Sequence, residues 1–514
     1  MTTAYTKAGR ERGGRQKRLE RKTRAAAPGP AYLTRKIPVY ALLDEAELVR
    51  IEQAADRILA EVGMDIRGDP DALALFRQAG AEVDGERVRF DPGLVASLCR
   101  SAPKRFTQHA RNPARSVEIG GDHIVFAPAY GSPFVYDRAG GRRYGTLADF
   151  ENFVKLAYLS PAIHHSGGTV CEPVDVVVNK RHLDMVYAHL RWSDKALMGS
   201  VTAQERAEDS IEMCRIVFGA DFVDRNCVIL GNINVNSPLV YDQTMTRSLR
   251  AYAAANQAAV VVPFILGGAM GPVTTAGAIA QAHAETLVGV ALTQLQRKGA
   301  PVIYGNFLSS MALRSGAPTF GTPEPAIGSL VVGQLAWRAG LPLRCSGAFT
   351  ASKIPDGQAM AESAVSMQAA ILCGANFILH AAGWLEGGLV MGYEKFAMDA
   401  DLCSALQVYV NGVSLSDEDL ALDAFREVGP GNHFLGSAHT LRHYETAFWD
   451  SAVADNNSFE QWRDGGSKSV DQRAGEQVHA LLAGYEPPAI DVAVDEALRD
   501  FVSRRKAASE DRWY

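Results

Sequence analysis

Several things are missing from this sequence, and each absence removes a class of protein. The seven cysteines (Cys99, Cys171, Cys214, Cys227, Cys345, Cys373 and Cys403) form an odd set with no C-x-x-C pair. A disulfide framework is therefore excluded, and the chain reads as cytoplasmic, its thiols reduced and buried as small apolar residues. No run of about 18 uninterrupted apolar residues occurs, which removes a membrane-spanning helix. The amino-terminal stretch has no apolar core and does not read as a secretory signal. No G-x-G-x-x-G follows the first predicted strand and no G-x-S-x-G supports a Ser-His-Asp hydrolase. What remains, with 47% hydrophobic and 21% charged residues over 514 positions, is an ordinary soluble composition, long enough for a large domain with smaller additions.

Charge is unevenly spread. Residues 1–36 hold eleven Lys or Arg against two Glu, so an arm of +9 precedes a body of −15. Without interleaved aromatics or a folded context, the arm reads as a disordered tail and not as a nucleic-acid contact. Residues 37–120 follow as a small α+β unit. Leu48, Ile51, Ala55 and Leu59 keep helical spacing, GMDI and GERVRF suggest short strands, and PDALALFRQAG and DPGLVASLCRSAP read as helices.

From His123 a rhythm sets in. Apolar runs at 124–128, 163–170, 196–200, 227–233, 259–267, 301–307, 342–349 and 375–380 are each followed by a stretch of helical periodicity. Helix ends are punctuated by Thr146, by Thr322 with Pro323, and by Gly299, Gly340 and Gly374. Eight strand–helix repeats predict an α/β fold, a TIM (β/α)8 barrel over 121–412, with the N-terminal α+β addition before it and a helical extension over 413–514 packed on it. An open doubly wound sheet is the alternative. PFVYDRAGGRRY (133–144) reads as a hairpin inserted after the first strand, and SDEDLALDAFREVG as one capped amphipathic helix of the extension.

In a barrel the chemistry lies where strands end and loops begin. The stretch ANFILHAAGWLEGGLVMGYEK (375–395) breaks from its apolar run at Gly383 and delivers His380, Trp384 and Glu386 to a glycine-rich loop. The corresponding positions elsewhere are Tyr130, Glu172, Asn234 with Asn236, Met270, Phe307, and Phe349 with Lys353. Each also has a plainer reading, Trp384 as a plug of the barrel top and Glu386 as a solvated acid. GGAMGPVTTAG (267–277) resembles an anion cradle but lacks the P-loop Lys, and a tight turn capped by Thr274 or Thr275 explains it equally well. His439 and His443 have the spacing of paired metal ligands, with His433 nearby, but no Glu lies between them. They read as packing histidines, and no metal is expected. Adjacent His164 and His165 face opposite sides of a strand, so one of the two enters the barrel. Cys345 reads as a core residue.

Longer motifs carry a family likeness. SSMALRSGAPTFGTPE (309–324), the run from GLPLRCSG through SKIPDGQA, GANFILHAAGWLEGG, YEKFAMDADLC and GNHFLGSAHTLRHY, together with GMDI and APKRF, resemble the trimethylamine methyltransferase family over nearly everything after the basic arm. The resemblance implies a TIM-barrel enzyme that moves a methyl group from an amine to the cobalt of a partner corrinoid protein. It implies no tightly bound cofactor, since the corrinoid (a cobalamin) arrives on the partner. Methanogen members of that family carry a pyrrolysine that activates trimethylamine, whereas many bacterial relatives lack it and usually use quaternary amines such as glycine betaine, carnitine or proline betaine. This sequence has no non-standard residue. A quaternary ammonium needs no activating group, because it leaves as a neutral tertiary amine, so it is the expected substrate.

Positioning is then the protein's main task, and a methylated cation is best held by aromatic faces. Phe349, Trp384, Tyr393, Tyr304 and Tyr130 are the expected cage, with His380 beside them. Glu172 and Glu386 are expected to orient the site from farther away, because a carboxylate in contact would favour the charged ground state. Lys353, Arg314 or Asn234 is expected to meet a substrate carboxylate. Two other classes stay open, a barrel enzyme passing methyl directly to tetrahydrofolate and a non-catalytic betaine-binding protein. A homo-oligomer is expected, with neither nucleic acid nor membrane as partner.

Overall fold

The computed structural model describes residues 29–513. Seven parallel strands run through its centre in chain order: β1 (His123–Phe126), β2 (Leu197–Met198), β3 (Ile229–Val235), β4 (Ala258–Leu266), β5 (Val302–Gly305), β6 (Leu343–Cys345) and β7 (Phe377–Ile378). Each pairs with the next from β2 to β7, and β7 pairs back onto β1, Phe377 beside Val125. The sheet is therefore curled. Helices alternate with the strands: α1 (Leu147–Leu159), α2 (Arg181–Trp192), α3 (Gln204–Phe218), α4 (Gln243–Ala254), α5 (Thr275–Gln296), α6 (Pro323–Arg338), α7 (Gly357–Leu372) and α8 (Tyr393–Val410). The fold is mixed α/β.

The run expected as the second strand is not a regular one. Gly167 takes φ +88°, which no extended strand accommodates, and a Cβ on Gly168 would come within 2.8 Å of the Tyr130 ring. Its backbone is still bonded on both sides. The amides of His164 and His165 donate to the Phe126 carbonyl at 3.0 and 3.1 Å, Ser166 donates to Ala196 at 2.9 Å, and Met198 donates to Gly167 at 2.8 Å.

Burial explains the composition of the strands. β4 reads AAVVVPFIL because both its faces are covered. On the inner face Val125, Val260, Ile303 and Phe377 pack together over Phe106 and Ile119, which come from an antiparallel hairpin of Arg105–Gln108 with Val117–Gly120. Thr146 and Asp149 form a capping box at α1, and Asp242 and Asp356 cap α4 and α7. Thr322 makes no side-chain cap bond, and Pro323 opens α6.

Three features depart from the expected divisions. Leu33–Thr34 pairs antiparallel with β1, and buried Arg35 bridges Asp122 at 3.3 Å, so the last residues of the basic arm belong to the folded body. Residues 1–28 of that arm lie outside the described residues. Val240–Tyr241 of the β3–α4 connection adds a strand to Met64–Ile66, tying the N-terminal unit to the curled sheet. In the extension, Val470–Ala483 packs on α8 and α1, and Val492–Ala507 on α3 and α2. SDEDLALDAFREVG, however, is two short helices, Asp417–Leu420 and Leu422–Val428, broken at Ala421 with φ +55°. Leu415, Leu422 and Phe425 stay exposed there. A helix this short is marginal without a packed face to hold one axis. Among the described residues no helix is long and apolar enough to cross a membrane, and all seven cysteines are free and buried.

Candidate active site

Aromatic rings from successive strand ends meet beyond β4 to β7. Phe307 and Phe349 stack at 4.9 Å between centroids, Phe349 and Trp384 stand at 4.5 Å, and His380 meets Trp384 edge-on at 4.5 Å. Phe320 flanks Phe349 and Trp384 at 5.2 and 5.7 Å, and Phe264 of β4 lies 4.8 Å from Phe307. Phe349, Trp384, Phe320 and His380 are buried, whereas Phe264 and Phe307 are half-buried and form the accessible edge.

A second small sheet holds the tryptophan in place. Trp384–Leu385 pairs antiparallel with Val390–Gly392, which pairs in parallel with Phe134–Asp137 of the inserted hairpin, whose return strand is Gly141–Tyr144. At Gly388 φ is +97°, and a Cβ there would lie 2.4 Å from the indole, so only glycine lets the loop fold over the ring. From beneath, a fully buried ion pair fastens the loop. Lys395 Nζ of α8 lies 2.5 and 2.6 Å from the two Asp399 oxygens and donates to Ser363 Oγ at 2.9 Å. Asp399 in turn accepts the Gly383 amide at 2.9 Å.

His380 sits at φ +66°, a region few side chains occupy. Its carbonyl accepts from the Ala348 amide at 2.8 Å and its own amide donates to the Pro128 carbonyl at 3.1 Å, which holds it there. Its Nδ1 accepts the Tyr130 amide at 3.1 Å, which leaves Nε2 carrying the proton. Burial, with the Arg344 charge adding to it, holds its pKa well below the ordinary histidine value. The ring is neutral.

Arg344 is the site residue that the reading of strand ends missed. It lies in β6 between Leu343 and Cys345, which face the helices, so alternation turns the guanidinium inward. The residue is 1% exposed. Nη1 donates to the Asn306 carbonyl at 2.6 Å, Cζ lies 5.1 Å over the Phe307 ring, and Nε is buried without a partner. Burial lowers its pKa to about 10, which still leaves it charged at neutral pH. Trp384 Nε1 is a second buried donor without a partner. Across the inner face, Asn232 Nδ2 donates to Asn234 Oδ1 at 3.2 Å, and Asn234 is exposed to solvent.

Other expected residues lie apart from this cluster. Tyr304 alternates with inward Ile303 and therefore points outward, its hydroxyl 3.1 Å from His283 Nδ1 on α5. Tyr393 begins α8, stacks on Phe153 of α1 at 4.3 Å and donates to Asp149 at 2.8 Å. Tyr130 adjoins His380 through its amide. Glu172 pairs with Arg181 at 3.0 Å and Glu386 with Arg142 at 2.8 Å. Lys353 is exposed and folds back onto the Ala351 carbonyl, and Arg314 is exposed as well.

The glycine-rich stretch after β4 is a turn closed on itself, with the amides of Ala269 and Met270 both donating to Leu266 O at 3.0 and 2.8 Å. Thr274 is its N-cap position but makes no side-chain cap bond. His165 is the inward member of its pair, 3.1 Å from Gln108 Oε1, while His164 accepts the Phe126 amide and faces outward. Cys345 accepts from Asn306 Nδ2 at 3.4 Å on the helix side. His439 and His443 converge on Glu418, but Arg442 already lies 2.8 Å from that carboxylate.

Comparison with known proteins gives a consistent picture. The model of the family described as trimethylamine methyltransferase (MTTB) matches residues 10–510. A glycine betaine methyltransferase of Desulfitobacterium hafniense is 40% identical over 470 residues, covering 91% of this chain and 98% of that protein. A proline betaine:corrinoid methyltransferase of Eubacterium limosum is 27% identical over 84% of this chain and 91% of its own length. The crystal structure of the Methanosarcina barkeri monomethylamine methyltransferase aligns over 91% of this chain and 96% of its own, with a TM-score of 0.46 and 11% identity. A family match across almost the whole length, with a 40% identical relative of the same extent, means that this chain belongs to the trimethylamine methyltransferase family and is a methyltransferase.

Proposed function

We propose that the chain takes a methyl group from a quaternary amine, glycine betaine foremost, and passes it to the cobalt of a corrinoid carried by a partner protein. The observation behind this reading is the cluster of Phe264, Phe307, Phe320, Phe349 and Trp384 at the carboxyl ends of β4 to β7. Aromatic faces attract a methylated cation by about 2 kcal/mol each when desolvated. The two acids anticipated for the site, Glu172 and Glu386, are engaged by Arg181 and Arg142, so neither pins the substrate charge in its ground state. Two relatives, a glycine betaine methyltransferase and a proline betaine:corrinoid methyltransferase, support the same substrate class and acceptor by their names.

Reduced cobalt supplies the electron pair of the new Co–C bond, the C–N pair stays on nitrogen, and a neutral tertiary amine leaves. The protein's share is to hold one N–CH3 bond in line and to keep water out. In the same reading the curled sheet closes as a (β/α)8 barrel, residues 163–168 taking the second place. Residues 37–120 and 413–514 are its additions, and the enzyme works as a cytoplasmic homo-oligomer without a tightly bound cofactor or metal. The test is single-turnover methylation of cob(I)alamin, free or on a corrinoid protein, followed by its absorbance change and by the appearance of dimethylglycine. Demethylation of glycine betaine that requires tetrahydrofolate and no corrinoid would overturn the acceptor, and binding without turnover would return the chain to a betaine-binding role.

A further inference from the structure

Four cationic side chains are buried among the described residues, and three have their charge answered. Arg35 faces Asp122 at 3.3 Å, and Lys395 faces Asp399 at 2.5 Å. Lys195 donates to the carbonyls of Ala157, Ser160 and Ile163 at 2.7, 3.0 and 2.5 Å. Arg344 has the Asn306 carbonyl alone, its Nε is unpartnered, and among the described residues no carboxylate pairs with it, the adjoining Cys345 thiol being the one ionisable group that favours its charge. Removing a guanidinium from water without a counter-charge costs several kcal/mol. A fold carries such a cost where a ligand brings the missing anion.

The surroundings say which anion. Arg344 lies over one face of Phe307, and Phe307 in turn neighbours Phe349, His380 and Trp384 at 4.9, 5.6 and 6.0 Å. Trp384 Nε1 has no acceptor, and His380 presents Nε2–H. Donors lacking acceptors thus adjoin the aromatic faces, and a guanidinium fork matches a carboxylate in two parallel bonds. In a betaine derived from an α-amino acid the carboxylate stands one carbon from the ammonium, so a single molecule meets both halves of this site.

We propose that Arg344 binds the substrate's carboxylate, with Trp384 and His380 as further donors, and that it confines the enzyme to carboxylated quaternary amines over methylated ammonium ions without an acid group. This rests on the methylated-amine reading of the same site.

Calorimetric titration of the full chain with glycine betaine, choline and tetramethylammonium tests it. The wild type should bind glycine betaine on the order of 100-fold more tightly than tetramethylammonium, the scale of a buried charge pair. Arg344→Gln should erase that difference while changing tetramethylammonium affinity less than about threefold, and Arg344→Lys, which keeps charge but loses the fork, should fall between. Without ligand, Arg344→Gln should melt no lower than the wild type, because an unanswered buried charge is gone. A variant that melts lower yet keeps its preference for glycine betaine overturns the proposal. So does a wild type that binds glycine betaine and tetramethylammonium equally, which leaves the proposed function standing and decides the matter even if the glutamine variant fails to fold. A wild type that binds none of the three ligands overturns the proposed function and this inference together.

Discussion

Trp384 shows how far one residue can be read from its neighbours in sequence. Its position beyond a strand end pointed to the site, and it does stand among Phe307, Phe349 and His380. The indole is 3% exposed and packed among rings, as a plug of the site would be. Trp384→Ala should therefore cost about 3–5 kcal/mol of stability, as a truncated core aromatic does. Affinity for glycine betaine should fall by about 1–2 kcal/mol, the scale of a desolvated cation–π contact. Trp384→Phe separates the two effects. The lost N–H has no bond in the free protein, so the stability cost should stay below about 2 kcal/mol while affinity still falls. Thermal melts beside titrations measure both, and a phenylalanine variant with wild-type affinity would remove the indole N–H from the site. Tyr304 and Tyr393 were misread because a position near a strand end does not say which face it turns to. Arg344 was legible in principle. In PLRCSG an arginine alternates with Leu343 and Cys345, and period two turns it away from the helices they meet.

At the scale of elements, strands and helices of the repeating unit were legible because burial on both faces and capped helix starts leave plain marks. Residues 163–168 were not, since an apolar run does not reveal that Gly167 breaks the strand conformation. Nor was the fastening of the Trp384 loop, which depends on Lys395 and Asp399 standing four apart with both side chains turned inward and fully buried. Asp399→Ala should strand the ammonium and lower the unfolding free energy by about 3–5 kcal/mol. Replacing both partners, Lys395→Met with Asp399→Leu, should recover most of that loss, because the desolvation cost goes with the charges. Urea titration of the two variants gives the comparison. If the single and double variants are equally destabilised, the lost Gly383 bond and not the stranded charge is what matters.

For the molecule as a whole the sequence indicated a large α/β body but not its response to acid, because a count of histidines does not say which are buried. Six of them are buried among the described residues: His164, His165, His182, His189, His283 and His380. Burial holds all six below the usual value, to about 3 at His164 and about 4 at His189 and His283. The unfolded chain therefore takes up these protons near pH 6.5 while the folded chain does not, and stability falls as pH drops from there toward the folded values. Each such histidine contributes a slope approaching about 1.4 kcal/mol per pH unit. Asp56, Glu172, Glu285, Glu394 and Asp399 act in the opposite sense, since burial raises their pKa, at Asp399 to about 6, and they gain protons first in the folded state. Six against five, the histidines are the larger group, and their unfolded values near 6.5 make them titrate across the whole range from there down. The melting temperature should fall steadily between pH 6.5 and pH 5, and His283→Gln, which removes one buried titrating ring beside Tyr304, should make the fall shallower. Scanning calorimetry across that range measures both slopes. A melting temperature that is flat or rises toward pH 5 would mean that the buried rings are protonated in the folded protein, and His380 would then face its substrate as a cation.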